Sequence, residues 1–199
     1  MRRRSARYLE VTSRMSLVMV INEFDDGDLS SNNIHPSIIK VKKAKNTGRI
    51  NVRLNARVFN DLGDDPNLDT RDFFTFKVPK NRELVSIKLN KYDNTSYGDN
   101  TGGGGWLGIG AGASIKDLAD PSALIGGNLI GVADGLRQGD ELMDDLLKGF
   151  SFGEMNVPAL EPGAISGGDF TFWFQEGNQG AENLQFVDYS MTFKFDLIA

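Results

Sequence analysis

Between Arg49 and Phe59 the chain alternates without a break. Ile50, Val52, Leu54, Ala56 and Val58 fall on one side, and Arg49, Asn51, Arg53, Asn55 and Arg57 on the other. Side chains of a β-strand point to opposite faces of its sheet in turn, so this run is a strand with one dry and one wet face. A sheet of such strands needs an apolar layer on one side only. That requirement excludes a parallel sheet buried by helices on both faces and favours two sheets packed together.

The same period recurs along the chain. Leu17 to Ile21 is apolar and β-branched enough for a first strand, ending at Asp25-Asp26-Gly27-Asp28. Ile38 to Val41 is a short strand after Pro36. Phe74, Phe76 and Val78 alternate inward, as do Val85, Ile87 and Leu89, and the short link at Lys80-Asn81-Arg82 predicts a hairpin between them. Phe170, Phe172 and Phe174 share one face, and Tyr189, Met191, Phe193, Phe195 and Leu197 another, which predicts a closing hairpin across the polar loop 176–183. With 13 Phe against 2 Trp and 4 Tyr, the core is expected to be filled by Phe. Asp140 to Lys148 places Leu142 and Leu146, with Met143 and Leu147 near them, on one helical face. The fold expected is therefore all-β, an antiparallel β-sandwich of jelly-roll type over residues 15–199. It carries a short helical insert at about 120–150 and a polar, basic N-terminal arm over residues 1–14.

Charge and composition narrow the function. A net charge of −5 argues against a general nucleic-acid binder, whose affinity comes from Lys and Arg on phosphates. Arg2-Arg3-Arg4 and Lys40 to Lys45 read as solvated surface and a charged terminus. With no cysteine there is no disulfide, thiolate metal site or cysteine nucleophile. No run approaches the ~18 apolar residues of a membrane helix. The basic start is followed by an apolar run, Leu17 to Ile21, shorter than the ~7 residues of a signal peptide, so no secretion signal is recognisable.

Little of the usual catalytic chemistry is present. His35, the one histidine, precedes Pro36 in a loop, and no Gly-x-Ser-x-Gly nucleophile elbow accompanies it. The glycine run from Gly102 to Gly112 is not a phosphate loop, because no Gly-Lys-Ser/Thr follows it; its glycines suit close packing or a bulge in a strand. Carboxylates remain. Glu23, Asp25, Asp26 and Asp28 lie in one segment, and Asp61, Asp64, Asp65, Asp69 and Asp72 in another. Two readings of these turns stand. They are solvated turns, or hard oxygen donors for Ca²⁺, which takes six to eight oxygens in flexible geometry. A carboxylate pair for glycoside hydrolysis depends on a separation that only a structure gives.

Several phrases, taken in order, resemble a known family. They are Glu23-Phe24-Asp25-Asp26-Gly27-Asp28-Leu29-Ser30, then Asn46 to Val52, then Asp69-Thr70-Arg71-Asp72-Phe73-Phe74-Thr75-Phe76-Lys77-Val78-Pro79, then Leu84 to Tyr92, and last Phe170 to Gln175. This ordered set is similar to the bacterial pre-peptidase C-terminal domain, in the variant of secreted cyanobacterial and other Gram-negative proteins. The likeness spans about residues 20 to 197. It implies a non-enzymatic extracellular or cell-surface β-sandwich accessory domain, often attached to hydrolases or surface proteins; acting alone, its expected partners are a surface polymer or protein and its own copies. Related collagen-binding modules hold calcium through acidic residues near the first strand and in an Asp-x-x-Asp region. Carried over, the matching positions are Glu23, Asp25 or Asp28, Asp69 and Asp72. The chain shows no fused enzyme domain, which shifts the expected role toward binding and self-assembly as a homo-oligomer. A filament or coat subunit using the basic arm is the structural alternative, and a small Asp/Glu hydrolase the enzymatic one.

Overall fold

The computed structural model describes residues 15–41, 47–59, 69–94, 104–118, 123–131, 139–152, 155–176 and 186–198. The arm at 1–14, the acidic loop containing Asp61, Asp64 and Asp65, and the loop from 177 to 183 lie outside the described residues. In chain order the elements are β1 (Met15–Asn22), α1 (Glu23–Asp26), β2 (Ser37–Lys40), β3 (Thr47–Phe59), β4 (Arg71–Lys77), β5 (Arg82–Asn94) and β6 (Gly104–Ala111). There follow β7 (Leu124–Gly131), α2 (Met143–Leu146), β8 (Phe150–Phe152), β9 (Met155–Val157), β10 (Asp169–Glu176) and β11 (Phe186–Leu197). One sheet has the order β1-β3-β11-β5, the other β2-β4-β10-β6-β7, and β8 and β9 form a small separate hairpin.

The two sheets pack through the faces that alternation marks as dry. Ile50, Val52, Leu54, Ala56 and Val58 of β3 are all buried, as are Phe74, Phe76, Phe172, Phe174, Phe193 and Phe195. Phe74 stacks on Phe172 at 5.5 Å between ring centroids, and both meet Phe193 edge-on across the sandwich, at 5.7 and 5.3 Å. Offset and edge-to-face contacts of this kind suit the quadrupole of the rings and add to the area they bury.

Two expected hairpins are not formed, and the sheets are mixed rather than antiparallel throughout. β4 lies in one sheet and β5 in the other; the same is true of β10 and β11. Alternation shows which side of a strand is dry but not which of two facing sheets the strand joins. A tight link between two such strands serves equally as a hairpin or as an arch over the core. Here the chain arches. Arg82, expected in a turn, opens β5 fully buried, and its N–H bonds the Pro79 carbonyl at 3.0 Å. Val85, expected to face inward with Ile87 and Leu89, is exposed instead: β5 shifts register against β11 between Leu84 and Ser86, and Leu84 takes the buried place. Because β1, β2, β3 and β4 switch sheets in turn, each returns beside the strand before last in the same direction. That is why β1 pairs with β3 in parallel, and β2 with β4.

Among the described residues of the insert at 120–150, helix is brief. Leu124–Gly131 is the strand β7, and the described helix is the single turn α2, which buries Met143 and Leu146, with Leu147 exposed just after it. From Gly104 to Ala111 the glycine run is the strand β6. Trp106 lies across its own Gly108 and across Gly127 of β7: a Cβ at either glycine would sit 2.8 Å from the indole. These glycines make room for an aromatic on the outer face of the second sheet, where Trp106, Trp173 and Phe150 pack around Ile115, Leu124 and Val157. Among the described residues no helix is long and apolar enough to cross a membrane.

Candidate metal centre

The site forms where β1 runs out. The last β1–β3 pair is Asn22 with Asn55, and the chain then turns into α1. Glu23, the first residue of that turn, is buried. Its Oε2 accepts the Arg57 N–H at 2.6 Å, so the carboxylate serves the edge of β3 just past the end of β1. Its Oε1 accepts the Leu29 N–H at 2.8 Å, and this bond holds the returning loop. Gly27, at φ 99, lets the turn close with its N–H on the Glu23 carbonyl at 3.1 Å.

Asp69 arrives from the other side. Its carbonyl accepts the Phe59 N–H at 2.7 Å, anchoring the start of β4 to the end of β3. Its Oδ1 accepts the Ser31 hydroxyl at 2.6 Å, and the Arg71 N–H also bonds the carboxylate. Asp72 is in β4 itself. Having the parity of Phe74 and Phe76, it points into the sandwich, and it is fully buried. Its strand neighbour is Phe174, which stacks on Tyr189 at 3.9 Å. The Tyr189 hydroxyl, reaching across from β11, donates to Asp72 Oδ2 at 2.6 Å, whereas Asp72 Oδ1 is buried without a hydrogen-bond partner.

Glu23, Asp69 and Asp72 each offer an oxygen within 4.8 Å of the others. Asp28 stands at the rim, close enough to bond the carboxyls of Glu23 and Asp69. Asp25 does not join them. It is exposed on α1, where its carboxylate accepts the Asn22 side-chain amide, and Asp26 accepts the Asn22 N–H. Of the five residues expected to bind metal, the structure thus gathers three, adds Asp28 beside them and turns Asp25 outward.

Without a counter-charge these groups resist ionisation. Burial raises Glu23 to about 7 against the N–H bonds from Leu29 and Arg57, and Asp28 adds to the rise. Burial likewise raises Asp69 to about 7, with Asp28 reinforcing it against the Ser31 bond. Asp72 is pushed well above the usual carboxylate range, first by burial and then by Glu23 and Asp69. The same surroundings hold Tyr189 protonated, so its hydroxyl remains a donor. The donor set is all oxygen, of the kind hard cations take, and its three oxygens are close enough together to meet on one ion.

Sequence reasoning missed the support around the ligands. Tyr189 was legible as inward-facing, from its parity with Met191 and Phe193, but not as the partner of Asp72. Ser31 and the N–H groups of Leu29 and Arg57 have no signal in a single sequence. Comparison with protein-family models, curated proteins and solved structures finds no match for the chain.

Proposed function

We propose that the chain is a non-enzymatic, extracellular β-sandwich module, fastened by Ca²⁺, that acts at a surface or in a matrix by binding a polymer or protein and its own copies. One observation carries the cation: the fully buried carboxyl of Asp72, its Oδ1 unpartnered, sits within 4.8 Å of two further carboxylate oxygens. A buried, uncompensated carboxylate costs several kcal/mol, and an ion shared by three of them removes that cost. The resemblance to the pre-peptidase C-terminal domain supports the same residues. Burial also favours a structural ion over a reacting one, because a hydrolytic carboxyl pair works in a cleft open to substrate. The ion would join the loop after β1, the start of β4 and, through Asp72 and Tyr189, both sheets.

Thermal unfolding in a chelator, in Mg²⁺ and in Ca²⁺ tests this. A folded-state ligand at 100 times its Kd stabilises by about 2.7 kcal/mol, so Tm should climb with Ca²⁺ concentration. Mg²⁺, which demands a tighter octahedral shell, should do less. A Tm indifferent to Ca²⁺ would remove the proposal's basis.

A further inference from the structure

Sheet edges invite pairing with other chains, and most edges of this sandwich are guarded. Along β5, the Gly139 and Leu142 N–H groups bond the Leu89 and Ile87 carbonyls at 2.6 and 2.7 Å. The Leu89 N–H bonds the Asp140 carbonyl at 2.9 Å, and Glu141 Oε1 accepts the Ile87 N–H at 2.7 Å. Beside β7, Asn128 ties the strand to the carbonyls of Asp145 and Gly149. β2 is four residues long and ends in Lys40.

Among the described residues β1 carries one such device, at its last residue, where Asp26 Oδ2 accepts the Asn22 N–H at 2.9 Å; the strand up to Ile21 carries none. The whole strand is eight residues long, MSLVMVIN, without charge, proline or glycine. Beyond its ladder to β3, no main-chain bond joins it to another described segment. Val18 and Val20 stand 60% and 59% exposed on its outer face, while the other strands of that sheet carry the ion pairs Arg57–Asp188, Lys91–Asp188 and Arg49–Asp196 there. On its inner face Leu17, Met19 and Ile21 are only partly buried at the margin of the core.

We infer that β1 is the docking edge for a second copy of the chain, pairing with β1 of its partner antiparallel about Met19. The strand is complementary to itself on both faces in that register. Val18 opposes the partner's Val20 outside, and Leu17 opposes the partner's Ile21 inside, so the two cores become continuous. A two-fold axis makes such an interface closed, giving dimers rather than fibres.

Charge fits the same arrangement. Residues 1–14 carry Arg2, Arg3, Arg4, Arg7 and Arg14 against Glu10. Antiparallel pairing brings the segment preceding β1 to the far end of the partner strand, where α1 begins with Asp25 and Asp26 exposed. Those two aspartates are outside the carboxylate cluster; each has one oxygen engaged by Asn22, and the exposed remainder of each carboxylate is left to meet arginine. A strand pair of this length buries less than the ~1,200 Å² usual for a stable interface, so the arms contribute and the dimer weakens as salt screens them.

This inference rests on the self-association in the proposed function and gives it an interface. The test is size in solution for the full chain, for Val18→Lys/Val20→Lys, and for a chain lacking residues 2–14, with circular dichroism and melting recorded for each. The chain has no cysteine, so Met19→Cys adds one thiol that meets its own copy only in this register. Val85→Cys, an exposed position on β5, is the control. Expected are a wild-type dimer that loosens in salt, folded monomers from the double lysine variant, weakened dimers without the arm, and disulfide-linked dimers from Met19→Cys alone. A dimer indifferent to the lysines, or cross-linking no better at 19 than at 85, overturns the interface and leaves self-association standing. A wild-type monomer at every concentration overturns both, while the calcium reading is decided separately by melting.

Discussion

Asp72 explains why a phenylalanine-rich strand begins with acid. In Arg71-Asp72-Phe73-Phe74-Thr75-Phe76 the even positions face the core, and Asp72 is the first of them. Parity alone therefore places a carboxylate in the dry layer, a conflict that local rules do not resolve and that marks a site. Replacing Asp72 with Asn should act in opposite directions in two conditions. Without Ca²⁺ the variant loses a buried ionisable group and keeps an acceptor for Tyr189, so its Tm at neutral pH should equal or exceed wild type; with Ca²⁺ it should gain nothing. Tyr189→Phe removes the hydroxyl that orients Asp72, a loss worth about 10–100-fold in metal affinity, and leaves the buried ring stacked on Phe174.

The raised carboxyls also set a pH dependence. Glu23 and Asp69 hold protons up to about 7 when folded, whereas unfolded they lose them near the ordinary carboxylate range. The folded state then binds more protons, so calcium-free stability is greatest below that range and falls as pH rises to about 7. Ca²⁺ needs the deprotonated forms, so its affinity should rise over the same interval. Tm measured from pH 5 to 8 in chelator should fall, and in saturating Ca²⁺ should flatten or rise. Parallel curves would count against the cluster.

Elements were legible in proportion to how local their cause is. The dry faces of β3, β4, β10 and β11 follow from period 2, and Phe74, Phe76, Phe172, Phe174, Phe193 and Phe195 all lie where alternation puts them. Truncating Phe172, which packs against Phe74, Phe76 and Phe193, to Ala should cost roughly 3–5 kcal/mol in chemical denaturation. Sheet membership was not legible, because an arch and a hairpin have the same short link and the same alternation. The glycines of β6 were legible as close packing but not as the bed of a particular indole, and Gly127 of β7, which shares that bed, carried no signal. Gly108→Ala should destabilise by about 1–3 kcal/mol, since its Cβ would meet Trp106 at 2.8 Å with little room to yield.

At the scale of the molecule, the carboxylate cluster joins segments that are distant in sequence. Glu23 closes the end of β1, Asp69 ties β3 to β4, and Asp72 meets Tyr189 from the opposite sheet. The sequence offered nine acidic residues in two clusters. Only the family resemblance set Glu23, Asp69 and Asp72 side by side, with Asp25 and Asp28; residue patterns alone could not, because the convergence depends on β1 and β4 lying at the same margin of two different sheets. Three carboxylates converging at this margin should hold one cation. Isothermal titration calorimetry of calcium-stripped protein near pH 6.5, repeated in buffers of different ionisation enthalpy, tests it most directly. The prediction is one Ca²⁺ per chain, bound with release of protons from Glu23 and Asp69, and no such site in Asp72→Asn. Absence of binding heat, or weak sites that release no protons and survive Asp72→Asn, would contradict it.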